Sequence, residues 1–186
     1  MAPISILGIS GSLRQGSYNT MALKAAQALA PDGITVTIFD RLREIPLYDD
    51  DVRAKDGFPE PVEALRTAIR AADALLLVSP EYNYSIPGVL KNAIDWASRA
   101  PDQPFADKPV AIMGASPGLL GTARMQYHLR QCFVFLDSRV LNKPEIMIGQ
   151  VAAKFDADGN LTDEPTTALI KAQLEALVAW AKRLHP

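Results

Sequence analysis

Ile4-Ser5-Ile6-Leu7-Gly8-Ile9, running straight into Ser10-Gly11-Ser12-Leu13-Arg14-Gln15-Gly16-Ser17-Tyr18-Asn19, decides how this chain is read. A mainly apolar run, Ile4 to Ile9, followed by a short polar, glycine-containing turn predicts a buried strand leading into a helix. The helix is expected over about Asn19–Ala30, ended by Pro31-Asp32-Gly33. The same grammar recurs downstream. Strands are expected at Ile34–Phe39, Ala74–Val78 and Pro109–Gly114, with a fifth at Val140 and Ile146–Ile148, interrupted at Lys143-Pro144. Helices are expected at Pro61–Ala72, Val89–Ala100, Thr122–Leu136 and Thr166–Leu184, the last burying Leu169, Leu174, Leu177, Val178 and Ala181. Strands alternating with helices predict an α/β fold: a flavodoxin-like doubly wound five-stranded parallel sheet, order 2-1-3-4-5, with helices on both faces.

In such a sheet the ligand crevice opens where the strand order reverses, between the first and third strands. The loops leaving those two strands are the two chemically richest in the chain. The first offers Ser10, Ser12, Ser17 and Thr20 hydroxyls, N–H groups at a helix start, and Arg14. That set suits a phosphate. Gly11 is read as permitting the tight turn, and Asn19 as capping the helix or donating to phosphate. The second loop is Ser79–Gly88, with Pro80, Glu81, Tyr82, Asn83 and Tyr84. Its aromatic faces and backbone N–H groups suit a planar ring. A third loop, Ala115-Ser116-Pro117-Gly118 with Gly121, leaves the fourth strand at the same edge and is expected to wall the ring's far side. Phosphate beside a flat head reads as a mononucleotide, with FMN the best match. Gly8-Ile9-Ser10-Gly11 lacks the spacing of a dinucleotide fingerprint, and no Gly-Lys-Ser/Thr ending marks a P-loop.

Composition narrows the field. The chain has 186 residues, 48% apolar and 22% charged, with a net charge of −2. One domain spanning 1–186 is expected, and no clustered basic surface for nucleic acid. Cys132 is the sole cysteine, and His128 and His185 lie far apart, so no disulfide or structural metal centre is expected. No apolar stretch reaches the roughly 20 residues of a membrane span, and the chain reads as cytoplasmic. Two stretches resist regular assignment. Asp40–Glu60 reads as a lid or a solvated excursion, and Asp156–Glu164 as a polar turn.

Three segments carry a resemblance: Gly11–Arg14 with Ser17 and Asn19; Pro80-Glu81-Tyr82-Asn83-Tyr84-Ser85-Ile86-Pro87-Gly88; and Lys91-Asn92-Ala93-Ile94-Asp95-Trp96. With Arg124–Gln131 and Asn142–Glu145 they make the chain similar to the NADPH-dependent FMN reductase family, in particular its bacterial quinone and chromate reductase branch. The resemblance implies non-covalent FMN, reduced by NADPH or NADH and reoxidised in a ping-pong sequence by a quinone or similar acceptor such as free flavin, an azo compound or chromate. By position, Ser10, Ser12, Arg14, Ser17 and Asn19 would hold the phosphate. Pro80, Glu81, Tyr82, Asn83 and Tyr84 would hold the ring and ribityl chain, beside Ser116 and Gly118. No side chain is expected to act as catalytic acid or base, because the cofactor carries the reactive atom. The resemblance also implies a homodimer or homotetramer. This fits the run Cys132–Leu136, apolar on every face, with Arg124, Tyr127 and Glu145 as contacts across an interface. A flavodoxin-like electron carrier, binding FMN without oxidising NAD(P)H itself, is the alternative reading.

Overall fold

A strand with no polar alternation has to be covered on both faces, and Ala74–Val78 is buried at every position. The computed structural model describes residues 3–184. Its elements are β1 (Ile4–Ser10), α1 (Tyr18–Ala28), β2 (Ile34–Phe39), α2 (Asp50–Asp56), α3 (Glu60–Ala71), β3 (Ala74–Val78), α4 (Gly88–Ala97), β4 (Pro109–Ala115), α5 (Ala123–Phe135), β5 (Arg139–Val140), β6 (Ile146–Ile148) and α6 (Glu164–Leu184). All the pairings are parallel, in the order β2-β1-β3-β4-β5. The fifth position is split. Arg139–Val140 pairs with Pro109–Val110, and Ile146–Ile148 pairs with Met113–Ala115. Pro144, which has no N–H to give a ladder, lies in the gap.

Leu23 of α1 and Ile170, Leu174 and Leu177 of α6 cover one face, packed on Ile6, Leu76 and Met113. Leu65, Trp96, Met125 and Phe133 of α3, α4 and α5 cover the other, packed on Leu7, Leu75 and Ile112. One expectation for the last helix needs correcting. Leu169 is 44% exposed and Ile170 is buried. At 3.6 residues per turn, Ile170, Leu174, Leu177, Val178 and Ala181 share one stripe, and Leu169 falls off it.

The Asp40–Glu60 connection is not a bare loop: its first half is anchored on the core and its second half, a helix with no buried residue, is solvated. It holds a 3₁₀ turn at Leu42–Glu44 and the helix α2, which Asp49 caps by accepting from the Asp51 N–H at 2.9 Å. Leu42 and Ile45 are buried, Trp96 Nε1 donates to the Pro46 carbonyl at 2.9 Å, and Tyr48 packs edge-on against Trp96. In the Asp156–Glu164 turn the Asp156 carboxylate is spent internally, accepting from the N–H groups of Asp158 and Asn160 and from Asn160 Nδ2.

Candidate cofactor site at the carboxyl edge of the sheet

The first loop is built around a close approach. The Gly11 N–H donates to the Val78 carbonyl at 2.9 Å, which pins the end of β1 to the end of β3. A Cβ at Gly11 would stand 2.4 Å from Ser79 Oγ. Glycine is therefore required there for room, not for a special turn torsion. Ser10 is nearly buried and its hydroxyl bonds Thr20 Oγ1 at 2.8 Å and accepts from the Ser12 N–H, so it supports the loop from beneath. Ser17, not Asn19, is the N-cap of α1: its Oγ accepts from the Thr20 N–H. Asn19 is buried, and its amide both donates to the Ala115 carbonyl (2.9 Å) and accepts from the Ala115 N–H (2.8 Å). It ties the start of α1 to the end of β4 instead of facing a ligand. Among the described residues, no hydrogen bond within the chain reaches the N–H groups of Gln15, Gly16, Ser17, Tyr18 or Asn19. Such groups at a helix start form an anion site. Arg14 is exposed, and no ion pair of the described residues includes it.

The second loop is a tight turn. Tyr82 and Ser85 exchange backbone hydrogen bonds at 3.1 and 3.0 Å, and Asn83 and Tyr84 between them have φ of 49° and 66°. Two left-handed residues in succession define a type I′ turn. Asparagine tolerates that conformation, whereas a residue as bulky as tyrosine seldom adopts it. Both rings are presented outward, Tyr82 51% and Tyr84 66% exposed. The N–H groups of Glu81, Asn83 and Tyr84 make no hydrogen bond within the described chain. Pro80 is buried and its carbonyl accepts from Ser79 Oγ, stiffening the strand end.

Glu81 departs from its expected role. Its side chain is 6% exposed and turned to α5, where the carboxylate accepts from the N–H groups of Arg124 (3.0 Å) and Met125 (3.1 Å) and pairs with the Arg124 guanidinium at 2.6 Å. That guanidinium lies 3.7 Å above the Tyr84 ring. Arg124 thus finds partners within the chain, and so does Glu145, whose carboxylate accepts from Lys143 Nζ at 3.2 Å, while Tyr127 is 52% exposed. Burial works to raise the Glu145 carboxyl, but hydrogen bonds from Lys143 and Tyr127 outweigh it and hold the group below the usual range. Ser85 Oγ sits 3.1 Å from His128 Nδ1, a further link from this turn to α5. His185 lies outside the described residues.

The third loop has less to offer than expected. The Ser116 N–H donates to Ile148, the Ser116 and Gly118 carbonyls accept from Val151 and Gln150, and the Gly118 N–H donates to Ser116 Oγ at 3.1 Å. Pro117 has no N–H. The close approach at Gly121 is to Met147 of the chain itself, 2.8 Å from a would-be Cβ. Sequence reasoning missed Arg43. It reaches from the 3₁₀ turn to place Nη2 2.5 Å from the Leu13 carbonyl, beside the first loop. A groove of about 700 Å³ also runs from Gln15 and Ser17 along α1, past Met21 and Lys24, to Gly159.

Together the loops after β1 and β3 place a phosphate-compatible donor set next to an exposed aromatic turn with free N–H groups. This donor set fits FMN: a dianion at one end, and at the other a flat ring rich in acceptors. Known proteins agree. The sequence profile of the NADPH-dependent FMN reductases matches residues 4–153. The chain is 59% identical over 182 residues to an NAD(P)H-dependent FMN reductase of Pseudomonas aeruginosa, covering 98% of this chain and 97% of that one. It is 48% identical over 182 residues to a quinone reductase of Escherichia coli K12, covering 97% of each. Among solved structures, FerB, a flavoenzyme NAD(P)H:(acceptor) oxidoreductase of Paracoccus denitrificans, superposes with a TM-score of 0.86 at 36% identity, over 97% of this chain and 98% of that one. Matched along most of its length by the family profile and along nearly all of it by these relatives, the chain belongs to the NADPH-dependent FMN reductase family.

Proposed function

We propose that the protein is an FMN-dependent NAD(P)H oxidoreductase that passes two electrons to quinones or similar acceptors. The observation that carries this is the meeting, on neighbouring strands at the switch point, of the α1 anion site with Arg14 and the exposed Tyr82–Ser85 turn. Bound FMN supplies hydride acceptance from the nicotinamide and electron delivery to the acceptor. Arg14, the Ser12 and Ser17 hydroxyls and the N–H groups opening α1 hold its phosphate. The N–H groups of Glu81, Asn83 and Tyr84 hold the ring, with Ser116 and Gly118 alongside. Ser10, Asn19, Pro80 and the Glu81 side chain act beneath these contacts, fixing the loops that make them. A quinone-like acceptor is supported by the quinone reductases among the relatives.

The enzyme works as a homodimer or homotetramer in this reading. Val134 and Phe135, 79% and 87% exposed at the end of α5, support it as apolar surface in want of a cover. The cytoplasm is the proposed location. No helix of the described residues is long and apolar enough to cross a membrane.

The deciding experiment is an anaerobic visible spectrum before and after stoichiometric NADPH. Flavin bands that bleach within seconds are expected. Bands that persist would make the protein an electron carrier, and a chain that neither carries nor takes up FMN would refute the ligand. Initial-rate lines for donor and acceptor are expected to run parallel, as for two substrates using one crevice in turn.

A further inference from the structure

The first turn of α5 leaves N–H groups that its own N-cap does not satisfy. Thr122 makes no capping hydrogen bond, and its Oγ1 accepts instead from Gln126 Nε2 at 3.1 Å. The cap comes from 43 residues upstream, where one oxygen of Glu81 takes the N–H groups of Arg124 and Met125, as an N-cap side chain would. The other oxygen pairs with the Arg124 guanidinium, whose face covers the ring of Tyr84. A helix end, a carboxylate, a guanidinium and a left-handed tyrosine therefore form one closed circuit around the turn that faces the crevice.

We propose that Glu81 is a positioning residue: clamped on α5 and Arg124, it sets the Tyr82–Ser85 turn and the Tyr84 ring in place before the flavin ring arrives. The proposal rests on the flavin site argued above. The circuit holds Tyr84 in a backbone conformation disfavoured for any residue with a Cβ. Without the circuit the turn has easier conformations to relax into, and its free N–H groups no longer converge. Arg124 acts through the same circuit, so removing either member should release the turn.

The test is to titrate FMN into flavin-free full-length chain carrying Glu81→Gln, Arg124→Met or both. Glutamine keeps an oxygen for the helix N–H groups and puts an uncharged NH2 donor where the second oxygen accepted from Arg124, so the charge and the acceptor opposite the guanidinium are lost. Methionine leaves the carboxylate cap untouched and removes the guanidinium. Each single variant is expected to bind FMN at least tenfold more weakly, with an altered visible circular dichroism of the bound flavin. The double variant should be no more than twofold weaker than the weaker single, because the two act as one unit. The melting temperature of the flavin-free chain should change far less than the affinity does. FMN affinity within twofold of the unsubstituted chain, with unchanged dichroism, would overturn the proposal. So would a loss that follows the melting temperature alone. If Glu81→Gln fails to fold, Arg124→Met decides by the same criteria. An unsubstituted chain that binds no FMN would refute the flavin site itself, and this proposal with it.

Discussion

A methyl group at position 11 would lie 2.4 Å from Ser79 Oγ and 2.8 Å from Ser79 Cβ, so Gly11→Ala has to push the end of β1 away from β3. Overpacking of this kind costs about 1–3 kcal/mol. Urea unfolding should show it as a lower midpoint, with FMN binding weakened because the crevice lies between those strand ends. Arg14→Ala removes a charge-assisted contact worth about 1.5–3 kcal/mol, hence about ten- to a hundredfold in FMN affinity. Riboflavin, which has no phosphate, should bind both versions equally, and a parallel loss of riboflavin would place Arg14 elsewhere. Arg14, Ser12 and Ser17 are legible in the sequence because their work is local, within one turn between a strand and a helix. Asn19 and Glu81 are not. Their side chains answer to Ala115 and Arg124, 96 and 43 residues away, and no spacing rule joins positions that only the folded sheet brings together.

Elements are joined here by single side chains. Asn19→Leu would leave the Ala115 N–H and carbonyl without their partners between α1 and β4, at a cost of roughly 2–6 kcal/mol for the two groups. Asn19→Asp keeps the acceptor and loses the donor, so thermal melts should rank the three chains Asn, Asp, Leu. On α5, burial pushes the Cys132 thiol up from its ordinary value. Its alkylation by iodoacetamide at pH 8 should be slower than that of a small free thiol and should quicken as the pH rises further. Reaction as fast as the free thiol would contradict that burial. The strands were readable because apolar runs without alternation admit few other structures. The segment from Asp40 to Glu60 was not, since a helix as short as α2 has little stability of its own and is set by anchors such as Leu42, Ile45 and the Tyr48–Trp96 contact.

For the molecule as a whole, binding at one site must appear as stability. Free FMN at a hundred times its dissociation constant should stabilise the fold by about 2.7 kcal/mol. For a chain of this size that is a rise of roughly 5–10 °C in melting temperature, and no shift would mean no specific site. Assembly is tested separately. Phe135→Glu, which places a charge on the exposed end of α5, should lower the sedimentation coefficient if that end lies between subunits. Sheet order was legible from the alternation of strands and helices, and its switch point from the two loops that flank it. The covering of α5 was not, because an apolar helix end reads alike whether it meets its own core or a partner. The two rims of the sheet are unequal. On the β2 side six residues run unbroken, while on the other side the rungs are two and three residues long with a proline between them. An incoming strand would find almost no continuous ladder to extend on that far side, which guards it against amyloid-like zippering and leaves the β2 rim, among the described residues, as the only long edge of this sheet that strand addition could use.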